Sequence, residues 1–83
     1  MGRRKLLKRL VEGNLRNVSF ADLLSLAQGF GFRPERISGS HHVLSHPALP
    51  ELLSLQEVKG EGKPYQIRQF LRMVERYDLI LEG

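Results

Sequence analysis

The apolar residues of this chain follow a helical period near both ends and lose it in the middle. Around residues 19–30 and 64–77 they recur at the i, i+3, i+4, i+7 spacing of a helix that buries one face. Ser19 is expected to cap the first of these helices and Pro64 to open the second. Over residues 32–58 the helical period disappears, and three short stretches with strand character are separated by turn residues. Strands this close in sequence predict an antiparallel meander, because parallel strands need crossovers of about a dozen residues or more.

The order of these segments predicts an α+β domain, with a three-stranded antiparallel sheet and helices packed on one face. The strands are expected over residues 32–38, 41–45 and 52–58. The first of them should lie at an edge of the sheet, because Pro34 cannot donate a ladder hydrogen bond. Residues 59–62 are expected to form a loop. The expected core consists of Leu23, Leu24, Ala27, Ile67, Phe70, Leu71 and Val74.

A basic helix is expected at the N-terminus, over about residues 3–12, and Gly13 is suited to end it. Residues 1–18 carry six Lys and Arg side chains against Glu12 alone, a net charge of +5, whereas the remaining residues carry a net charge of −1. The positive charge is therefore local, and we interpret residues 1–18 as an extension that precedes a domain over residues 19–83. A solvated helix face and a nucleic-acid contact would both explain this charge.

Length and composition exclude several classes of protein. A chain of 83 residues has room for one thin core. The absence of Cys excludes a disulfide, a thiolate zinc site and a cysteine nucleophile. No apolar run reaches the roughly 18–20 residues of a membrane span, and the N-terminal apolar stretch is too short for a signal peptide. These features predict a cytoplasmic protein with no membrane partner, and they leave a homo-oligomer open.

All three histidines fall within six positions, in and just after the predicted second strand. A metal site is disfavoured, because the adjacent His41 and His42 point to opposite faces of a strand. His42 and His46 share a face but lie about 13 Å apart along an extended strand. Two interpretations remain open. The imidazoles could be polar, partly exposed strand residues, or one of them could act as a general acid or base near neutral pH.

The segment Gly39-Ser40-His41-His42, followed by His46-Pro47, resembles the signature of the HicA toxins of type II toxin–antitoxin systems. Residues 62–71, Gly-Lys-Pro-Tyr-Gln-Ile-Arg-Gln-Phe-Leu, resemble the final helix of that family. The resemblance covers about residues 19–80. It implies a fold similar to a double-stranded-RNA-binding domain. It also implies a small mRNA interferase, a ribonuclease that needs neither a metal nor another cofactor and that a HicB-like antitoxin neutralises.

The resemblance places the catalytic histidine at His41, with His42 as the alternate because the doubled histidine leaves the register open by one residue. RNA supplies its own nucleophile, the 2′-hydroxyl, so cleavage needs a base, an acid and positive charge at the phosphate. Lys63 is a candidate phosphate ligand, because it precedes a helix whose N-terminal amides favour an anion. The other candidate RNA-binding residues are Ser40, Arg36 and Arg68.

Two alternatives to a ribonuclease remain open at this point. The first is an RNA-binding module without catalysis, since RNA is often recognised by shape alone. The second is an inactive toxin relic that retains antitoxin binding.

Overall fold

The computed structural model describes residues 1–82, and this part of the chain forms three helices and a four-stranded antiparallel sheet. The helices are α1 (Arg3–Val11), α2 (Phe20–Gly29) and α3 (Pro64–Arg76). The strands are β1 (Arg33–Ser38), β2 (His41–Ser45), β3 (Leu53–Val58) and β4 (Glu61–Gly62). They are hydrogen-bonded in the order β1-β2-β3-β4. The α+β class and the antiparallel meander are therefore confirmed.

The expectation of three strands is wrong, because residues 59–62 form a tight hairpin and not a loop. Glu61 and Gly62 of β4 pair with Val58 and Glu57 of β3. The two residues of the turn, Lys59 and Gly60, have positive φ angles of 51° and 78°. Two consecutive left-handed residues match the type I′ turn, whose twist fits that of paired strands. Asn or Asp is usual at the first position of this turn. Because Lys59 occupies that position, the sequence does not indicate a type I′ turn.

The predicted ends of the elements are confirmed by their backbone geometry. The Ser19 hydroxyl caps α2 by accepting a hydrogen bond from the Asp22 amide at 3.3 Å. Pro64 is the first residue of α3, where its missing N–H costs nothing. Gly13 follows α1 with a φ of 94°, a conformation that glycine adopts readily. Pro34 lies in β1, which is an edge strand of the sheet as its sequence predicts.

One apolar core lies between the helices and one face of the sheet. Leu44, Leu53 and Leu55 supply the sheet side of this core. Four of the seven expected core residues are fully buried on the helical side, namely Leu23, Ala27, Ile67 and Phe70.

The other three expected core residues, Leu24, Leu71 and Val74, are only partly buried and pack against the margin of the core. Leu26 and Met73 are buried instead. The helical spacing identifies all the apolar residues on one side of a helix, and this stripe is wider than the surface that packs against the sheet. The packing against the sheet therefore determines which edge of the stripe is buried. On α3 the buried edge is the one that carries Met73.

Helix α1 packs into the same core, although its sequence is dominated by charge. Leu6 and Leu10 are each only 1% exposed and belong to the same cluster as the buried residues of α2 and α3. The charged side chains of Arg4, Lys5 and Lys8 lie on the exposed side of the helix. Among residues 1–82, no helix is long and apolar enough to cross a membrane.

The loop between β2 and β3 is tied to the end of α3. The Glu51 carboxylate accepts a hydrogen bond from the Tyr77 hydroxyl and another from Arg76 Nη1, the latter at 3.1 Å. The hydrogen bond to Glu51, together with desolvation, raises the pKa of the Tyr77 phenol above its ordinary value. This contact anchors the long loop that follows the histidine-bearing strand.

Candidate functional site

The helices cover one face of the sheet, so the opposite face lies open to solvent. Alternation along β2 places Leu44 and His42 on the helical side and His41 and Val43 on the open side. His41 pairs with Ser38 of β1 on one side and with Gln56 of β3 on the other. We call this surface the open face; by register it carries Arg36, Ser38, His41, Val43, Ser54 and Gln56.

His41 is exposed at the first position of β2, directly after a two-residue turn. Gly39 opens this turn with a φ of 59°, a conformation that side-chain-bearing residues rarely adopt. The carbonyl of Ser40 accepts a hydrogen bond from the Glu57 amide at 2.9 Å, which ties the turn to the end of β3. The imidazole of His41 is therefore accessible, and its backbone is held on both sides.

His42 lies on the helical side of the sheet and is half-buried. Its ring packs against Phe20 with the ring centroids 4.7 Å apart and the planes tilted by 57°. Its cross-strand partner, Leu55, is a core residue. These contacts give His42 a packing role and separate it from His41 by the thickness of the sheet.

His46 uses both of its ring nitrogens to hold the chain after β2. Nε2 lies 2.9 Å from the Phe30 carbonyl and Nδ1 accepts a hydrogen bond from the Ala48 amide at 3.1 Å. Because Nδ1 is an acceptor here, the proton of the neutral ring is on Nε2 and is donated to Phe30. Within residues 1–82, no three His, Cys, Asp or Glu side chains converge on a position that could hold a metal ion.

Replacing Gly31 with Ala should destabilise the protein more than replacing Gly13 with Ala. Both glycines have positive φ, 100° and 94°, so both variants carry a backbone strain of about 1–3 kcal/mol. A Cβ at Gly31 would lie 2.7 Å from His46 Nε2, whereas a Cβ at Gly13 meets no heavy atom within 4 Å. Displacing His46 should add about 1–3 kcal/mol at Gly31. Urea unfolding of the two variants measures the difference, and equal losses would contradict the anchoring role of His46.

Lys63 lies at the same end of the sheet as His41. It follows Gly62, which pairs with Glu57, and it immediately precedes α3. The continuation of β4 beyond Gly62 therefore runs beside Gln56, the cross-strand neighbour of His41. Lys63 therefore lies two strands from His41 at the same end of the sheet.

Gln66 makes a buried contact at the sheet edge that the sequence did not reveal. Its side chain is only 7% exposed, and its Oε1 accepts a hydrogen bond from the Gln56 amide at 2.7 Å. Strand β4 is too short to satisfy this amide, so the side chain from α3 takes the place of a longer strand. No pattern in the sequence marks this contact, because it depends on how α3 crosses the sheet edge.

The two candidate arginines lie on different sides of the sheet. Arg36 is exposed on the open face and pairs with Val43, two residues along β2 from His41. Arg68 is exposed on α3, in the helical layer on the other side of the sheet. The structure therefore brings His41, Ser40, Arg36 and Lys63 to one end of the sheet and separates Arg68 from them.

Negative charge is also present at this end of the sheet. Glu57 and Glu61 are exposed on β3 and β4, beside the turn that carries Lys59. The field around His41 is consequently mixed in sign, and any anion held there must be positioned by individual contacts more than by a broad positive patch.

Comparison of the chain with protein-family models, with curated proteins and with solved structures finds no match. The function is therefore inferred from the geometry of the open face and from the resemblance of the histidine segment.

Proposed function

We propose that the chain is a metal-independent endoribonuclease of the HicA type, which cleaves mRNA with His41 as its general base. The observation that carries this proposal is the position of His41. It is an exposed imidazole on a strand, directly after a tight turn, with Arg36 and Lys63 at the same end of the sheet. The other two histidines are engaged elsewhere, since His42 packs against Phe20 and His46 bonds to the backbone.

The proposed reaction uses the RNA's own nucleophile. His41 accepts the proton of a 2′-hydroxyl while the 2′-oxygen attacks the adjacent phosphorus and the bond to the 5′-oxygen breaks. The products are a 2′,3′-cyclic phosphate and a 5′-hydroxyl, which takes its proton from the imidazolium or from water. Lys63 and Arg36 stabilise the charge that develops on the phosphate. A strand-borne imidazole holds its orientation better than one on a loop, which suits this alignment.

The succession α2-β1-β2-β3-α3, with the helices on one side of the sheet, supports a likeness to double-stranded-RNA-binding domains. Strand β4 is a two-residue addition before α3, and α1 is an additional helix before α2. A fold of this type accommodates many functions, so the likeness is consistent with RNA as the ligand and says nothing of catalysis.

A cleavage assay with EDTA present tests the proposal. Single-stranded RNA should be cut in EDTA and should yield a 2′,3′-cyclic phosphate end. The same oligonucleotide with a single 2′-deoxy substitution at the scissile nucleotide should resist cleavage there. Loss of activity on chelation, or normal cleavage at the 2′-deoxy position, would contradict the mechanism.

RNA binding without catalysis is the second candidate function. It is favoured by the separation of the histidines, because neither His42 nor His46 lies on the open face to act as a partner acid. In that case RNA would bind but remain intact. An inactive toxin relic would give a third result. Its expression would cause no growth arrest, although it would still bind its antitoxin.

The proposed protein partner is a HicB-like antitoxin that covers His41. Acidic side chains on the partner would meet Lys63, which lies at the same end of the sheet as His41. Hydrogen exchange in a purified complex should then be slowed over residues 39–42. Unchanged exchange over these residues would mean that inhibition is indirect.

A further inference from the structure

Tyr65 is an exposed aromatic side chain beside the proposed site, and the core does not use it. It lies in the first turn of α3, and 58% of the residue is accessible to solvent. The Nζ atom of Lys63 lies 5.9 Å from the centroid of its ring, at the outer limit of a cation–π contact. An aromatic face and a positive charge are therefore presented together.

The ring of Tyr65 is tied to the strand next to His41 through one buried amide group. Gln66 Nε2 donates a hydrogen bond to the Tyr65 hydroxyl at 3.3 Å, and Gln66 Oε1 accepts one from the Gln56 amide at 2.7 Å. Gln56 in turn pairs with His41 across the sheet. Strand β3 lies between His41 and Lys63, so the backbones at these two residues are about two strand spacings, or 10 Å, apart. An extended dinucleotide spans such a distance.

We propose that Tyr65 is a stacking platform for one base of a single-stranded RNA whose phosphate lies between Lys63 and His41. The RNA as ligand rests on the proposed function, whereas the platform rests on the geometry around Tyr65. Single-stranded RNA is held by alternating contacts of this kind, with bases on aromatic rings and phosphates on cations. Stacking on a single ring accepts every base, so this contact fixes the position of the strand and does not select its sequence.

Binding measurements in the His41→Ala background separate the platform from catalysis. A short fluorescein-labelled single-stranded RNA should bind Tyr65→Ala between about fivefold and a hundredfold more weakly than the parent. Tyr65→Phe keeps the ring and should bind as the parent does. Ile80→Ala removes a still more exposed apolar side chain outside the proposed site and should have no effect. Unchanged affinity of Tyr65→Ala would overturn the platform.

Salt dependence distinguishes stacking from charge. Lys63→Ala should lower the slope of log affinity against log salt concentration by about one, because one phosphate contact is lost. Tyr65→Ala should weaken binding at every salt concentration and leave the slope unchanged. An equal reduction of the slope in both variants would mean that Tyr65 acts only by orienting Lys63, which contradicts the proposal.

A double-mutant cycle locates the stacked base. Abasic nucleotides are placed at successive positions of the RNA, and one position should weaken binding to the parent while leaving binding to Tyr65→Ala unchanged. Equal losses at every position in both proteins would overturn the platform, even if the protein that retains His41 cleaves RNA. If one position does couple to Tyr65 but the protein that retains His41 leaves RNA intact, the platform stands and the ribonuclease is rejected.

Discussion

Replacing His41 with Ala should abolish detectable RNA cleavage and growth arrest while the fold and the affinity for RNA remain. Loss of a general base typically costs about 10²–10⁴ in rate. His41 is exposed, so its removal leaves the core between helices and sheet untouched. Single-turnover cleavage rates measure the catalytic loss, and circular dichroism with a thermal melt verifies the fold.

The variant His42→Phe is the matched control for this experiment. Phenylalanine can fill the position of the imidazole against Phe20, where the two rings are now 4.7 Å apart, so the packing should survive. Cleavage by His42→Phe should therefore match that of the parent. If His42→Phe is inactive and His41→Ala is active, the base has been assigned to the wrong histidine. If both variants cleave normally, neither histidine is the base and the mechanism is wrong.

Replacing Phe70 with Ala should remove a large fraction of the free energy that stabilises the folded protein. Phe70 is completely buried and makes edge-on contacts with Phe30 and Phe32, at centroid distances of 5.8 and 6.0 Å. Removing such a side chain typically costs about 3–5 kcal/mol. The total stability of small domains is about 5–15 kcal/mol, so the loss is a large fraction of it. Urea unfolding followed by circular dichroism measures the effect.

Leu71→Ala is the matched control, because Leu71 is the next residue of α3 and is only partly buried. The sequence alone predicts Leu71 to be a core residue, and truncation of a fully buried Leu costs about 2–5 kcal/mol. The structure predicts a smaller loss of stability, because part of the Leu71 side chain is exposed to water in the folded protein. A loss equal to that of Phe70→Ala would show that α3 is rotated about its axis relative to the packing described above.

The two-residue period of a strand is enough to predict that the adjacent His41 and His42 point to opposite faces of the sheet. Which face the helices cover could not be predicted in this way. The burial of Leu44 and the contact of His42 with Phe20 decide that His41 is the accessible histidine. The link from Gln56 through Gln66 to Tyr65 has no signal in the sequence, since it joins a strand edge to a helix across a hairpin.

What the sequence determined by itself is the set of features that depend on a few neighbouring residues. The cap at Ser19, the start of α3 at Pro64 and the turn at Gly39 follow from side-chain chemistry and from allowed φ angles within one turn of chain. The antiparallel pairing also follows, because the connections are too short for any other.

What only the tertiary structure decided is how these elements meet. The pairing of β4, the flank of α3 that faces the core and the burial of Leu6 and Leu10 of α1 all depend on partners distant in sequence. Such contacts are selected because one arrangement of the whole chain removes the most apolar surface from water and still satisfies backbone groups such as the Gln56 amide. No local pattern contains that information, and the neighbourhood of His41 is built from the same contacts.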